Sequence, residues 1–306
     1  MMPRQNSCRV STVIVNYNSG HFLRDAVQSV LEQDDVEAEV IVVDNASSDD
    51  SLEQLGELRE RIKLIRNTNN LGFAKGCNLG TVDAVGEYVL FLNPDCRLHK
   101  GALSTLIDVL EKTPEAVVAG PMLLNPDGSE QAGGRRDIPS PWKTFCMLVR
   151  LDLLMPEHPR FKSFNHAGRE MPRHEVPVDA VSGACMLVRS TALAENGGFD
   201  EQYFLHFEDL ELCMRLGRNK HLIMFEPGAA CTHTKGQCSI KKPLLVEFHK
   251  HNSFVKFMNR SFLKYYPKIF LVIVSILVYL HFVGISVKYF FSYRKKIQLS
   301  ELWERL

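Results

Sequence analysis

The chain has 306 residues, 45% of them hydrophobic and 24% charged, which is enough to bury the core of one large domain or two small ones and excludes a disordered or fibrous chain. Lysine plus arginine equals aspartate plus glutamate at 36 each, so no overall field gathers polyanions, and no nucleic-acid partner is expected. The eight cysteines (Cys8, Cys77, Cys96, Cys146, Cys185, Cys213, Cys231, Cys238) form no CxxC pair and suit a reducing cytoplasm, and the opening MMPRQNSCRV holds no apolar run that would direct export.

The first 125 residues alternate β-branched runs with amphipathic segments, the pattern of βαβ units and a largely parallel sheet. Strands are predicted at Val10 to Val15, Val40 to Asp44, Ile62 to Arg66, Tyr88 to Leu92 and Ala116 to Gly120. Between the first two, Leu23, Ala26, Val27, Val30 and Leu31 follow i, i+3, i+4 spacing behind an N-cap at Asn18 or Ser19, which reads as a sheet-covering helix. From Asn125 to Pro177 the rhythm is lost. Pro126, Gly128, Gly133, Gly134, Pro139, Pro141, Pro156 and Pro159 read as long loops, placed where an acceptor can bind, with one short helix near Phe145 to Met155. Structure is expected to resume with a strand over Asp179 to Arg189, a helix from about Glu208 to Gly217, a strand over Leu222 to Phe225 and a helix around Leu244 to Asn259.

Ile269 to Val287, IFLVIVSILVYLHFVGISV, carries no formal charge apart from a titratable His281, and Lys264, Lys268, Lys288, Lys295 and Lys296 flank it. About 20 apolar residues cross the hydrocarbon of a bilayer, so the stretch is just long enough. Three readings stand: a spanning or re-entrant helix, a helix lying in the membrane plane, and a core or oligomer helix.

Chemistry-bearing residues gather at predicted strand ends. The first strand ends in Asn16-Tyr17-Asn18 with no G-x-G-x-x-G after it, so the dinucleotide fingerprint is missing. The second ends in VIVVDNASSDDS, which sets Asp44 at the carboxyl edge of the sheet, where ligands of open α/β folds bind. A carboxylate there can accept the imide N–H of uracil or thymine; the other reading is a helix cap, with the Asn45 to Ser51 run opening the next helix. In Asn67 to Asn78, NTNNLGFAKGCN, Gly72 and Gly76 let the backbone approach a ligand closely, and Lys75 either reaches a diphosphate or sits on a solvated helix face. Phe91-Leu92-Asn93-Pro94-Asp95 sets oxygen ligands on a stiff backbone, as a hard divalent cation bridging to phosphates requires. Farther on, GGFDEQYFLHFED (Gly197 to Asp209) enters a helix in which Asp209 shares the buried stripe of Leu212 and Leu216, whereas Glu208, Glu211 and Arg215 fall on a face that exchanges salt bridges. Asp209 is therefore the better general-base candidate. His233, in Thr232-His233-Thr234-Lys235-Gly236 after a turn at Pro227-Gly228, either completes a metal site or is structural.

Together VIVNYN, VVDNASSD, NNLGFAKGCN, FLNPD, VSGACMLVR, GGFDEQYFLHFEDLELCMR and HTKG, from Val10 to Gly236, resemble family 2 glycosyltransferases of the GT-A fold, and specifically their bacterial rhamnosyltransferase-like branch. Each motif alone is weak, and seven in the family's order are specific. The resemblance implies an α/β fold with a Rossmann-like, mostly parallel central sheet flanked by helices, with a nucleotide-sugar-binding half over residues 1–125 and an acceptor-binding and catalytic half of the same domain over 126–262. The apolar run adds the expectation of a C-terminal hydrophobic, membrane-associated helix in a segment over 263–306.

The resemblance implies inverting transfer of rhamnose or another hexose from a dTDP- or UDP-sugar to a glycan or lipid-linked glycan, at the inner face of the cell membrane, in polysaccharide synthesis. Asp209 is the implied base, and Asn16, Asn18, Asp44, Asn70, Gly72, Lys75, Asn93 and Asp95 are the implied donor site. Glu208 and Gly183 lie toward the acceptor, and Asp95 with His233 holds Mg²⁺ or Mn²⁺. Asn93 stands where many relatives have aspartate, leaving Asp95 as the carboxylate of that motif. Two other functions are weighed against this one. A nucleotidyltransferase would want Lys or Arg after the first strand, which Asn16 to Gly20 lacks; a silent membrane-anchored nucleotide-sugar-binding subunit would not need Asp44, Asp95, Asp209 and His233 together.

Overall fold

The computed structural model describes residues 9–154, 158, 164–236 and 243–303. Cys8, Cys238, Met155, Pro156 and Pro159 lie outside them. In chain order the elements are β1 (Val10–Asn16), α1 (Phe22–Leu31), β2 (Ala38–Asp44), a short 3-10 turn of helix (Gly56–Arg61), β3 (Lys63–Arg66), α2 (Phe73–Val82), β4 (Tyr88–Leu92), β5 (Cys96–Leu98), α3 (Ala102–Lys112) and β6 (Ala116–Leu124). Then follow β7 (Arg135–Arg136), α4 (Pro141–Leu148), α5 (Leu151–Leu154), β8 (Val176–Val178), β9 (Ala180–Val181), β10 (Cys185–Arg189), α6 (Ser190–Asn196), α7 (Glu208–Arg218), β11 (Leu222–His233), α8 (Pro243–Phe262) and α9 (Lys268–Trp303).

By contact the chain divides into two compact units: Met1–Ile138 with Phe164–Lys241, and Pro139–Ser163 with Lys242–Leu306. The first holds a nine-stranded sheet in the order β3-β2-β1-β4-β10-β6-β11-β5, with β8 also paired to β11. Strands β3, β2, β1 and β4 run parallel, and β11 runs parallel to β6. Strand β10 enters antiparallel between β4 and β6. All seven residues of β1 and all five of β4 are buried, as expected of sheet strands covered on both faces. Helix α1 lays Leu23, Ala26, Val27 and Val30 on the sheet, and α3 adds Leu103, Leu106 and Leu110 to the same core. Each such side chain contributes about 1.5–3 kcal/mol when fully buried.

Several sequence expectations are corrected here. Neither Asn18 nor Ser19 caps α1, which starts without a side-chain cap, because both side chains are used elsewhere in the loop. The Asn45 to Ser51 run opens no α-helix; turns lead from it into the 3-10 segment. The expected strand over Asp179 to Arg189 is interrupted at Ser182 to Ala184. Pro227-Gly228 does not end its strand, because a bulge between Glu226 and Ala230 absorbs the irregularity and Glu226 Oε1 accepts the Gly228 amide at 2.6 Å.

The second unit contains α4, α5, α8 and α9. Helices α8 and α9 form an antiparallel hairpin joined by polar pairs: His251 Nε2 with His281 Nδ1 (3.1 Å), Tyr279 Oη to Asn252 (3.3 Å) and Asn259 Nδ2 to Ser275 Oγ (3.2 Å). Lys268–Phe291 is long and apolar enough to cross a membrane, with a mean hydropathy of 2.5.

Candidate active site

The carboxyl edge of the sheet gathers the predicted residues through loops that brace one another. Asp44 ends β2, nearly buried, where its Oδ1 accepts from Asn16 Nδ2 (2.8 Å) and its Oδ2 from the Ser47 amide (3.2 Å). Each oxygen keeps a lone pair for a further donor. Asn18, in the left-handed region at φ 54°, turns its Oδ1 to the amides of Ser48 (2.8 Å) and Asp49 (3.2 Å). Its side chain shapes the loop beside Asp44.

Asn70 Oδ1 accepts the Gly72 amide at 2.9 Å, forming a local Asx turn before α2. Gly72 has φ 86°, and a Cβ there would lie 2.5 Å from the Phe204 carbonyl oxygen, which also accepts the Phe73 amide at 2.8 Å. Only glycine permits this approach of the 203–207 loop. Asn45, which sequence reasoning missed as a brace, bridges the loops by donating to the Gly72 carbonyl (3.0 Å) and accepting from Asn67 (2.9 Å). Lys75 sits exposed on α2, with its Nζ 4.0 Å from Glu201.

After β4, the Asn93 amide donates to the Ala184 carbonyl at 2.8 Å, which ties the FLNPD turn to the break before β10. Asp95 is buried, with Oδ1 3.2 Å from Nε2 of His233, and the Thr234 amide donates to the Asp95 carbonyl at 2.9 Å. His233 ends β11, opposite Cys96 across the β11–β5 ladder. Gln131, also missed, orients the imidazole. Its Nδ2-equivalent amide nitrogen, Nε2, donates to the His233 carbonyl (3.0 Å) and to Asn125 Oδ1 (2.9 Å), leaving Oε1 to accept from Nδ1 at 2.7 Å. That assignment places a proton on Nδ1 and leaves Nε2, beside Asp95, as the ring nitrogen that a metal ion would take.

Ligand atoms of Asp95, Cys96 and His233 all lie within 4.8 Å of one another. Burial pushes the Cys96 thiol well above its ordinary range, and its soft sulfur is a poor partner for a hard cation. The donor set that fits Mg²⁺ or Mn²⁺ is accordingly the Asp95 carboxylate with His233 Nε2, and the site stays open to other ligands.

Asp209 is buried at the start of α7, behind His206 (φ 65°) and Phe207 (φ 72°), two consecutive bulky residues in the left-handed region. Such backbone persists only where its surroundings enforce it. Its Oδ1 accepts the Leu210 amide (2.8 Å); its Oδ2 accepts the Gly183 amide (3.0 Å) and a close bond from Arg136. A Cβ on Gly183 would stand 3.1 Å from Asp209 Cβ, so a larger residue would press α7 away. Arg136 is the main site residue that sequence reasoning missed, and GGRR (Gly133 to Arg136) was its only signal.

Glu208 departs from expectation. The helical-face argument set it with Glu211 and Arg215 on a salt-bridging face, and those two do pair at 2.8 Å. Glu208 is instead buried, as are Asp209 and Leu210 beside it in the first turn of α7, and its Oε2 lacks a hydrogen-bond partner. Burial, and then the charge of Asp209, push its carboxyl up to about 8, so it is protonated at neutral pH.

Among solved structures, a mannosyltransferase from Pyrobaculum calidifontis in complex with GDP-Man and Mn²⁺ superposes with TM-score 0.57 at 17% identity, covering 89% of this chain and 70% of its own. GalNAc-T7 with UDP, GalNAc and Mn²⁺ superposes with TM-score 0.55 at 19% identity, covering 75% of this chain and 44% of its own. The fold is thus GT-A, the fold of these glycosyltransferases.

The chain belongs to glycosyl transferase family 2, whose family model matches residues 11–171, and to the family's rhamnosyltransferase-like branch. N-acetylglucosaminyl-diphospho-decaprenol L-rhamnosyltransferase of Mycobacterium tuberculosis is 30% identical over 251 residues, 78% of this chain and 80% of its own. A low-salt glycan biosynthesis hexosyltransferase of Haloferax volcanii is 28% identical, over 70% of this chain and 66% of its own.

Proposed function

We propose that this glycosyltransferase moves L-rhamnose, or another hexose, from a dTDP- or UDP-sugar to a hydroxyl of a lipid-linked glycan, with inversion at the anomeric carbon. The likeness to the mycobacterial rhamnosyltransferase supports the sugar and the lipid-linked acceptor. The observation that carries the reading is one buried carboxylate, Asp209, fixed by Arg136 and by the amide of Gly183, whose loop is tied through Ala184 and Asn93 to the Asp95–His233 pair.

Residues 1–125 supply the donor side, with Asp44 accepting the imide N–H of the base beside Asn16 and the loop that Asn18 and Asn70 shape. Residues 126–262 supply the acceptor and catalytic side, and 263–306 the membrane attachment. Asp95 and His233 would hold Mg²⁺ or Mn²⁺, which, when bound, neutralises charge on the departing diphosphate. Asp209 takes the proton of the acceptor hydroxyl as its oxygen bonds to the anomeric carbon. The bond from that carbon to the diphosphate breaks, and the nucleoside diphosphate leaves with the electron pair. Gly183 and Arg136 set the orientation of Asp209; Glu208, protonated, lines the acceptor side without taking the proton. Helix α9 holds the chain at the inner face of the membrane, where a lipid-linked acceptor resides.

The test is a panel of nucleotide sugars with detection of released diphosphate, on the wild type and Asp209→Asn. Turnover in the variant falls by roughly 10²- to 10⁴-fold at saturating donor, while donor binding by calorimetry persists. Near-wild-type turnover by Asp209→Asn would remove Asp209 from the mechanism.

A further inference from the structure

We propose that α4, α5 and the α8–α9 hairpin form a monotopic membrane-docking foot, in which α9 lies in the plane of one leaflet and α4–α5 add a second lipid-facing surface. It rests on the membrane reading above and goes beyond it by naming the lipid-facing side chains and excluding a single-helix crossing.

Helix α9 has two faces by contact. Leu271, Val274 and Val278 are buried, whereas Ile269, Ile273, Ile276, Leu280, Val283 and Val287 are exposed and recur every three or four residues along one side. That stripe is an unbroken apolar line of about 27 Å at the rise of an α-helix. Water alone is a poor partner for it.

A lone spanning helix would face lipid all round. Here the first half of α9 lies along α8, which carries Lys250, Lys256 and Arg260, and the pairs His251–His281, Asn252–Tyr279 and Asn259–Ser275 join the two. Drawing α9 across a bilayer would either break these pairs or drag the charges of α8 into hydrocarbon, where each costs about 2.5–3.5 kcal/mol or more. Lying in the interface satisfies both faces: α8 shields one, and lipid takes the other.

The α4–α5 segment extends this surface. Trp142, partly exposed, stacks with Phe270 at 6.4 Å between ring centroids, next to Ile269 in the stripe. Phe145 lies 5.8 Å from the same ring, and Tyr266 stacks on it at 5.7 Å. Farther along, Met147, Val149, Leu153 and Leu154 are exposed, the last two at 61% and 75%. Charge agrees with a leaflet as the occupant. Lys264, Lys268 and Lys288 stand at the ends of the stripe with Tyr265 and Tyr289, and Arg150 stands beside Leu153. Basic and aromatic side chains flanking an apolar surface suit the headgroup layer of an anionic bilayer.

The experiment uses the full chain with Trp303→Phe, so that Trp142 is the one tryptophan, and vesicles of phosphatidylglycerol and phosphatidylcholine carrying brominated acyl chains. The proposal expects vesicle binding, quenching of Trp142 strongest for bromines near the headgroup, and a C-terminus open to added protease with vesicles intact. It also expects that Leu153→Asp with Leu154→Asp weakens binding by about 10- to 100-fold. Binding with Trp142 unquenched and the double variant unchanged would show that α9 alone anchors the chain, which overturns the foot and leaves the membrane reading standing. A C-terminus cleaved only after vesicle lysis would show a crossing and overturn the in-plane placement. No binding to any vesicle would overturn the membrane reading itself.

Discussion

Replacing Glu208 with glutamine tests whether its buried carboxyl is protonated at neutral pH. The carboxyl sits at about 8 in the fold, against 4.5 as the ordinary value, because burial and the neighbouring Asp209 charge disfavour ionisation. A carboxyl raised in this way contributes its full share of stability below pH 4.5 and loses it as pH rises toward about 8, since the unfolded chain ionises first and folding takes up a proton. At pH 7 the wild type gives up about 3 kcal/mol relative to a side chain that never ionises, and at pH 5 under about 1 kcal/mol. Glutamine is that side chain. Its amide hydrogens need partners that Glu208 Oε2 already lacks, an offset that does not change with pH. The thermal midpoint of Glu208→Gln relative to wild type should therefore rise by about 5–10 °C between pH 5 and pH 7, and level off above pH 8. Scanning fluorimetry at half-unit steps measures it, with sugar transfer at pH 7 staying within about tenfold of wild type. A difference in midpoint that is flat across this range would mean Glu208 is ionised in the fold, and the separation of roles between Glu208 and Asp209 would be wrong.

Activity should require a divalent cation, and Asp95→Ala and His233→Ala should each weaken metal-dependent donor binding; full activity in excess chelator with unchanged donor affinity would refute the assignment. Gln131→Met should weaken metal binding by about 10- to 100-fold, read by calorimetry, by releasing Nδ1 of His233, and an unchanged affinity would show that the imidazole needs no such support. Gly72→Ala should destabilise by about 1–3 kcal/mol in urea unfolding, because a left-handed backbone and a 2.5 Å approach to the Phe204 carbonyl oppose the methyl group. Deleting Ile269 to Leu306 should release the protein from vesicles while the unfolding transition of the sheet unit remains. A full-length chain soluble without detergent whose truncation unfolds entirely would make α9 a core or oligomer helix instead.

The parallel half of the sheet was legible because β1, β2 and β4 are short, largely apolar runs that end at polar residues of the candidate site: Asn16 closes β1, Asp44 closes β2, and Asn93 and Asp95 follow β4. What was not legible depends on partners distant in the chain. Gln131 and His233 are 102 residues apart, and Arg136 and Asp209 are 73 apart; no local periodicity joins them. Gly183 falls in sequence inside an expected strand, and the resemblance sets it toward the acceptor, but only the fold shows that its lack of a side chain lets Asp209 approach. Pro227-Gly228 carried a genuine turn signal, overridden because both flanks of the bulge still find partners on β6. Glu208 was misplaced for a related reason: a helical wheel treats the first turn of a helix as though solvent reached its polar face, and here Glu208, Asp209 and Leu210 are all buried.

That burial sets two adjacent carboxylic acids in different surroundings. Successive residues of a helix are turned by about 100°, so Glu208 and Asp209 look into different surroundings even though both are covered. Asp209 meets two amides and a guanidinium, all donors suited to a negative charge. Glu208 keeps one oxygen without a partner, and although its own backbone amide and the Arg136 charge favour ionisation, burial and the Asp209 charge outweigh them. Two like charges so close in a dry site would repel by more than one helix N-terminus can offset. Protonating Glu208 removes that repulsion and leaves the Arg136 guanidinium and the two amides to Asp209.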